Sequence, residues 1–365
     1  MRILTIDVGT GTQDILLFDS SQTLENCVKM ILPSPTAIAA QRIREATTRR
    51  NTLVLTGFNM GGGPCSWALE DHLKAGLTAY STPQAARTFN DDLSEVEAMG
   101  VRLISDSEAA RVDGAVRVRL VDLDIAAIRT ALDSFGVSTN FDGIAVAVLD
   151  HGEAPPGVSD RIFRFEHIRR VITEKQSLLG FAYLADELPA YLTRMRDLAQ
   201  QVEEPLPMLL LDTGPAAALG AMEDPLVSQQ EQVIVVNTGN MHAMAVHIHG
   251  GELAGIFEHH TGALSPEQLN AYLRQLADGS LTHEDIFNSH GHGCVIVRQV
   301  ASSARPFLAI TGPRRGRFAN MEWRPYFAVP HGDMMIAGCF GLLRGFAARQ
   351  PDWREEIEKA LGIDN

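Results

Sequence analysis

Cysteine is scarce in this chain. Its 365 residues include four, at positions 27, 65, 294 and 339. No pair has the C-x-x-C spacing of a metal or redox motif. So sparse a set argues against a disulfide framework and against a self-contained iron–sulfur cluster of closely spaced thiolates. A basic excess is also missing: 31 Lys and Arg face 45 Asp and Glu, for a formal net charge of −14. Phosphate contacts need cationic side chains, so a nucleic-acid backbone is not the expected main partner. Long apolar runs are absent too. The longest lies near Met334–Leu343, well short of a bilayer span. The N-terminal stretch has no apolar h-region and no small-residue cleavage site, so the expectation is a cytoplasmic protein without a membrane partner. The Gly-Lys-Ser/Thr ending of a Walker loop does not occur after the opening glycines.

What is present begins at the N-terminus. Arg2–Ile6 reads as a buried strand, Asp7-Val8-Gly9-Thr10-Gly11-Thr12 as a glycine-rich turn, and Gln13–Asp19 as a second strand. Glycines at alternate positions let the backbone approach a bulky anion, because neither carries a Cβ. The exposed amides of such a turn form a nest for phosphate. Asp7, at the strand end, is placed to hold a hydrated Mg²⁺ beside it. A Rossmann fingerprint would need a third Gly and then a helix, whereas Asp14 and an apolar run follow. An ordinary Gly-Thr hairpin is the plain alternative. The same logic returns later. Gln232–Val236 is apolar, Asn237-Thr238-Gly239-Asn240 is the turn, and Met244–Ile248 is a second strand. Asn237 takes the place of Asp7; an amide can bond a phosphate or water but brings no charge to Mg²⁺.

A length of 365 residues suggests about two domains. Residues 51 to about 140 read as an α/β insertion on the first, with Gly61-Gly62-Gly63-Pro64 opening a helix that either holds an anion or makes a tight crossover. Gly143–Leu149 is apolar enough for a central parallel strand. Asp150 and His151 at its end are placed for general-base work or simply end the strand. Helix is expected most clearly at Tyr183–Val202. Asp212-Thr213-Gly214-Pro215 opens a small-residue helix, with Asp212 either a base or an N-cap. Nine of the twelve histidines lie from His242 to His331. His290, His292 and Cys294 alternate, so an extended segment would put them on one face, for a transition metal or for plain ligand contact. Gly312 follows a strand. Arg314, Arg315 and Arg317 either grip an anion or form a solvated run.

These pieces together resemble the actin-like ATPase superfamily of sugar kinases, Hsp70-type chaperones and actin. Within it, the openings Asp7–Asp14, Asn237–His242 and Glu258-His259-His260-Thr261-Gly262 resemble a family labelled pyruvate formate-lyase-activating proteins, along nearly the whole chain. The resemblance implies a two-domain α/β protein of ribonuclease H-like fold with mixed sheets and flanking helices. The expected division is 1–225, carrying the insertion, and 226–365, with the final helices returning to the cleft. It implies ATP and Mg²⁺, held by Asp7, Gly9, Thr10, Gly11, Thr12 and Gln13, by Asn237, Thr238, Gly239 and Asn240, and by an adenosine contact at Gly312. Asp212 or Asp150 would be the catalytic base for an ATPase or small-molecule kinase. A non-catalytic nucleotide switch acting on a protein partner and a histidine-metal hydrolase are the alternatives. The label itself implies S-adenosylmethionine and a four-iron cluster on C-x-x-x-C-x-x-C, a spacing that positions 27, 65, 294 and 339 do not supply; no iron–sulfur cluster is expected.

Overall fold

The computed structural model describes residues 1–300 and 305–362. β1 (Arg2–Val8), β2 (Thr12–Asp19) and β3 (Val28–Pro33) form an antiparallel meander. Alternation splits their side chains between two cores. Leu16 and Phe18 join one, while Leu4, Ile6, Ile15 and Leu17 join the other. A strand with apolar residues on both faces must be covered on both, which is why helices flank this sheet.

The chain then leaves the sheet. α1 (Pro35–Thr48) starts at Ser34, whose side chain accepts from the Ala37 amide. β4 (Leu53–Gly57), α2 (Pro64–Lys74), β5 (Ala79–Ser81), β6 (Arg102–Leu103) and β7 (Val116–Leu120) follow. The four strands make a separate parallel sheet in the order β6-β5-β4-β7. Ala39, Ala40 and Ile43 of α1 pack into its core beside Leu53 and Leu55. α3 (Ile125–Ser134) returns, placing Ile128 and Leu132 against Leu4 and Ile6. β8 (Gly143–Val148) pairs parallel with β1. After α4 (Asp160–Lys175), β9 (Tyr183–Leu184) and α5 (Thr193–Ala199), β10 (Met208–Asp212) pairs parallel with β8. The first sheet thus runs β3-β2-β1-β8-β10-β9.

α6 (Thr213–Ala221) leads to β11 (Gln232–Thr238), β12 (His242–His249) and β13 (Glu252–His260), again an antiparallel meander. α7 (Pro266–Asp278), α8 (His283–Asn288) and β14 (Gly293–Ile296) come next. β15 (Phe307–Thr311) pairs parallel with β11, and β16 (Tyr326–Phe327) parallel with β15. The order is β14-β13-β12-β11-β15-β16. Three meander strands followed by two parallel ones occur in both sheets, so the echo between the two glycine turns reflects a repeated βββ-β-β unit. That repeat, with helices on both faces, is the actin-like, ribonuclease H-like α/β fold. α9 (Ala337–Arg349) and α10 (Pro351–Ala360) close the chain. α6 and α9 cross between the sheets so closely that a Cβ on Gly220 would overlap the Ala337 carbonyl, and one on Gly341 the Ala216 carbonyl.

The helix expected across Tyr183–Val202 is a correction. Tyr183 and Leu184 pair with Leu210 and Leu209 of β10, and helix resumes only at Thr193. The long helix of this region is α4, whose buried face mixes Phe165, Ile168 and Ile172 with Arg164 and His167. Inward-facing charged residues hide the apolar stripe from a periodicity reading. Among the described residues no helix is long and apolar enough to cross a membrane.

Candidate functional site

The two glycine turns are built alike. The Gly9 N–H donates to the Thr12 carbonyl and the Gly239 N–H to the His242 carbonyl, each at 2.9 Å. Ser34 braces the first turn, donating its Oγ to the Thr10 carbonyl at 2.8 Å and its N–H to the Gly11 carbonyl at 3.1 Å. The Thr238 hydroxyl braces the second by donating to the Thr311 carbonyl at 2.9 Å. The turns meet: a Cβ on Gly11 would overlap the Asn240 side-chain amide. Gly9, Thr10, Asn237, Gly239 and Asn240 line one cavity of about 340 Å³. A third glycine segment, Gly61–Gly63 at the start of α2, lines it as well. Gly63 has φ +62°, and a Cβ there would lie 3.3 Å from Thr10 Cγ2 and 3.4 Å from Met241 Sδ.

Beside the first turn lie two carboxylates. The β1–β2 register sets Asp7 opposite Asp14, and the Asp7 Oδ1 accepts from the Thr213 hydroxyl at 2.6 Å. Asp14 is buried and its Oδ1 has no partner. Burial lifts Asp7 to about 6, with Thr213 pulling it down and the Asp212 charge adding. Burial, then the Asp7 charge, lifts Asp14 to about 8, against the Thr12 hydroxyl. Gly338 of α9 leaves no room for a Cβ beside the Asp7 Oδ2. Asp14 stands where a Rossmann turn would have its third glycine and carries no motif of its own; its signal is its position directly across the hairpin from Asp7.

The other expected residues divide. Asp150 lines the cavity, with Oδ1 accepting from the Gly152 N–H at 2.8 Å and Oδ2 from the Met195 N–H at 2.9 Å; burial nonetheless lifts it to about 6. Asp212 is absent from the cavity wall and caps α6, accepting from the Gly214 N–H at 3.2 Å. Its oxygens also accept from Arg164 Nη1 at 2.7 Å and Nη2 at 3.2 Å. Arg164 is fully buried and donates Nε and Nη2 to Glu258, each at 2.6 Å. This Asp–Arg–Glu set bridges the first sheet's region to β13. Burial acts to raise Glu258, but the Arg164 guanidinium outweighs it and holds the carboxyl below its usual range. Gln13 turns away to donate to the Pro33 carbonyl at 3.0 Å. Gly312, with φ +97°, lies against Asn237 behind the second turn and does not line the cavity. Arg317 donates to the Thr261 and Leu264 carbonyls, so it is a brace for a loop.

The histidine reading needs correction. His290 is exposed, has φ 71° and precedes the extended segment, which starts only at Gly293. Cys294 donates its thiol to the Leu281 carbonyl at 3.7 Å. His292 instead groups with His151 and His242, their ligand atoms all within 4.8 Å of one another. This set joins residues far apart in the sequence, so spacing did not reveal it. The cysteines do not fit an iron–sulfur cluster. Cys65 and Cys294 are buried in two separate cores, Cys27 and Cys339 in a third. Cys339 also bonds to the Asp14 carbonyl, whereas Cys27 is held near Asp19.

Comparison with curated proteins found no match. Among solved structures, the chain is similar to a ROK hexokinase from Thermus thermophilus, at 14% identity and a TM-score of 0.24, covering 69% of this chain and 47% of that one. The match therefore spans about half of the hexokinase. It is also similar to a ROK family glucokinase from Streptomyces griseus in complex with glucose and AMPPNP, at 11% identity and a TM-score of 0.33, covering 93% and 97%. A third is MreB 5 of Spiroplasma citri bound to AMPPNP, at 11% identity and a TM-score of 0.33, covering 99% of each chain. The fold assignment stands on the strand order above. Residues 60–317 match the family described as "Putative pyruvate format-lyase activating enzyme (DUF1786)", and the chain belongs to that family.

Proposed function

We propose that this protein binds a nucleotide or other phosphate ligand with Mg²⁺, between lobes formed by residues 1–225 and 226–365. One observation carries the reading: two equivalent glycine turns, one from each repeat, touch and line a single cavity. Their backbone N–H groups suit an anion. Asp7 and Asp14, beside the first turn but not on the cavity wall, would hold the hydrated ion, which supplies charge neutralisation to a phosphate. The unpartnered Asp14 oxygen fits that role, since two close carboxylates without a cation repel one another. Gly312 keeps Asn237 in place, and Gly61–Gly63 adds a helix N-terminus on a third side. Asp150 faces the cavity and is the candidate base for phosphoryl transfer to water or a small molecule. Asp212 acts by holding Arg164, and lobe closure would exclude water. The cytoplasm, where nucleotide is plentiful, is the proposed location.

Isothermal titration with ATP, with and without Mg²⁺, tests this. The expected result is Mg²⁺-dependent binding that falls at least about tenfold in Asp7→Ala, a loss of about 1.4 kcal/mol. No binding of ATP, ADP or polyphosphate by folded protein would sink the reading. A second reading, a nucleotide-dependent switch without turnover, is favoured by Asn237, a neutral amide where the first repeat has Asp7. A single-turnover hydrolysis assay separates the two: no phosphate release from bound ATP selects the switch.

A further inference from the structure

We infer that His151, His242 and His292 form a binding site for a divalent transition metal of the zinc class, at the wall of the same cavity. The three side chains come from three separate places: the loop after β8, the start of β12, and the loop before β14. Their ligand atoms lie within 4.8 Å of one another. Zinc–nitrogen bonds of about 2.0–2.1 Å put tetrahedral ligand atoms about 3.4 Å apart, so a shift of about an ångström closes the set on an ion.

A packed histidine normally finds a hydrogen-bond partner for a ring nitrogen, because an unmet polar atom in the interior is costly. Here His292 is fully buried, and neither of its ring nitrogens has a partner. The buried Nε2 of His242 has none either. An orphaned nitrogen on each of two neighbouring rings, His242 and His292, is what a metal would satisfy. His260 packs beside the set, its ring 4.8 Å from that of His292 and 5.0 Å from that of His242.

The surroundings fit a cation. Glu258 Oε2 lies 3.6 Å from His292 Nδ1. A ligating imidazole is commonly oriented by a carboxylate on its other nitrogen, so Glu258 is placed to fix His292 with Nε2 toward the ion. Glu258 and Asp212 flank Arg164, and the three together carry one net negative charge. His151 and His242 line the cavity while His292 lies behind them. Three protein ligands with the remaining side toward a cavity is the plan of a metal that takes an anionic oxygen from solvent or substrate. Because His151 belongs to the first repeat and the other two to the second, the ion would also tie the lobes together.

This proposal does not depend on nucleotide binding, and its test uses metal alone. Metal-stripped full-length protein is titrated with Zn²⁺, and with Co²⁺ followed by its visible absorption. The expected result is one equivalent bound, a tetrahedral-type Co²⁺ spectrum, and a loss of at least about a hundredfold in affinity in His151→Ala and His292→Ala. His290→Ala, at the exposed neighbour, retains wild-type affinity. Since His292→Ala sits in the interior, thermal unfolding of each apo variant establishes that it is folded, and His151→Ala at the cavity wall gives an independent reading. Failure of folded wild-type protein to bind either ion at micromolar concentration would overturn the site. So would unchanged affinity in both His151→Ala and His292→Ala.

Discussion

At the residue scale, the carboxylate pair of the first hairpin sets the pH response. An Asp in the unfolded chain titrates near 3.8, whereas folding lifts Asp14 to about 8 and Asp7 to about 6. The folded state then binds more protons at this pair than the unfolded state does, so the pair's contribution to stability falls as pH rises from about 4 to 8, while the buried histidines, held below 6.5, act in the opposite sense on the acid side of that value. Without Mg²⁺, thermal unfolding of the wild-type protein is expected at a lower temperature at pH 8 than at pH 5.5, after correction for the rest of the chain by comparison with Asp14→Asn. That variant should show a smaller drop, because it has no proton to lose at this position. An equal drop in both proteins would show that Asp14 does not titrate in this window. Arg164 makes a second prediction. Arg164→Met strands Asp212 and Glu258 in the interior without their counter-charge, and breaking a buried pair in this way costs about 3–5 kcal/mol. Urea unfolding measures it; a loss below about 1 kcal/mol would mean that water reaches the two carboxylates.

At the scale of elements, the crossing of α6 and α9 decides how the site is held. α6 follows directly from Asp212, and Thr213 at its start bonds Asp7. α9 brings Gly338 against the same Asp7. Two helices can approach this closely only where Cβ atoms are missing at the contact, here at Gly220 of α6 and Gly341 of α9. Gly341→Ala forces the Ala216 backbone away and is expected to cost about 1–3 kcal/mol, read by urea unfolding. Gly338→Ala displaces Asp7 itself, so its effect should appear in Mg²⁺-dependent ligand affinity as well as in stability. If both variants changed stability alone, the second helix would be a scaffold without influence on the acidic pair.

At the scale of the whole molecule, the repeat determines the geometry of the site, and the distribution of cysteine limits its chemistry. Each sheet contributes one turn, and the strand order that places β1 beside β8 in one repeat places β11 beside β15 in the other. Both turns therefore emerge at corresponding edges and can meet. The thiols are dispersed among separate cores, so reconstitution with iron and sulfide under anaerobic reducing conditions is expected to give no stoichiometric four-iron cluster. A stoichiometric cluster by iron analysis and visible absorption would refute that expectation.

Much of this was legible in the chain itself. Gly9-Thr10-Gly11 after a buried strand, and Gly239 after another, are local facts: alternation, strand length and the lack of a Cβ act within a dozen residues. The internal echo followed from comparing those two stretches, and with it the fold. Tertiary structure alone decided which polar groups share a space. Asp212 reads as a base or a helix cap; it does cap α6, and its ion pair with Arg164 from α4 is invisible to local spacing. His290 and His292 looked like neighbours, yet an αL backbone at His290 and a glycine separate them, while His151 comes in from the other repeat. Such groupings depend on where distant strands end, and no local spacing encodes that.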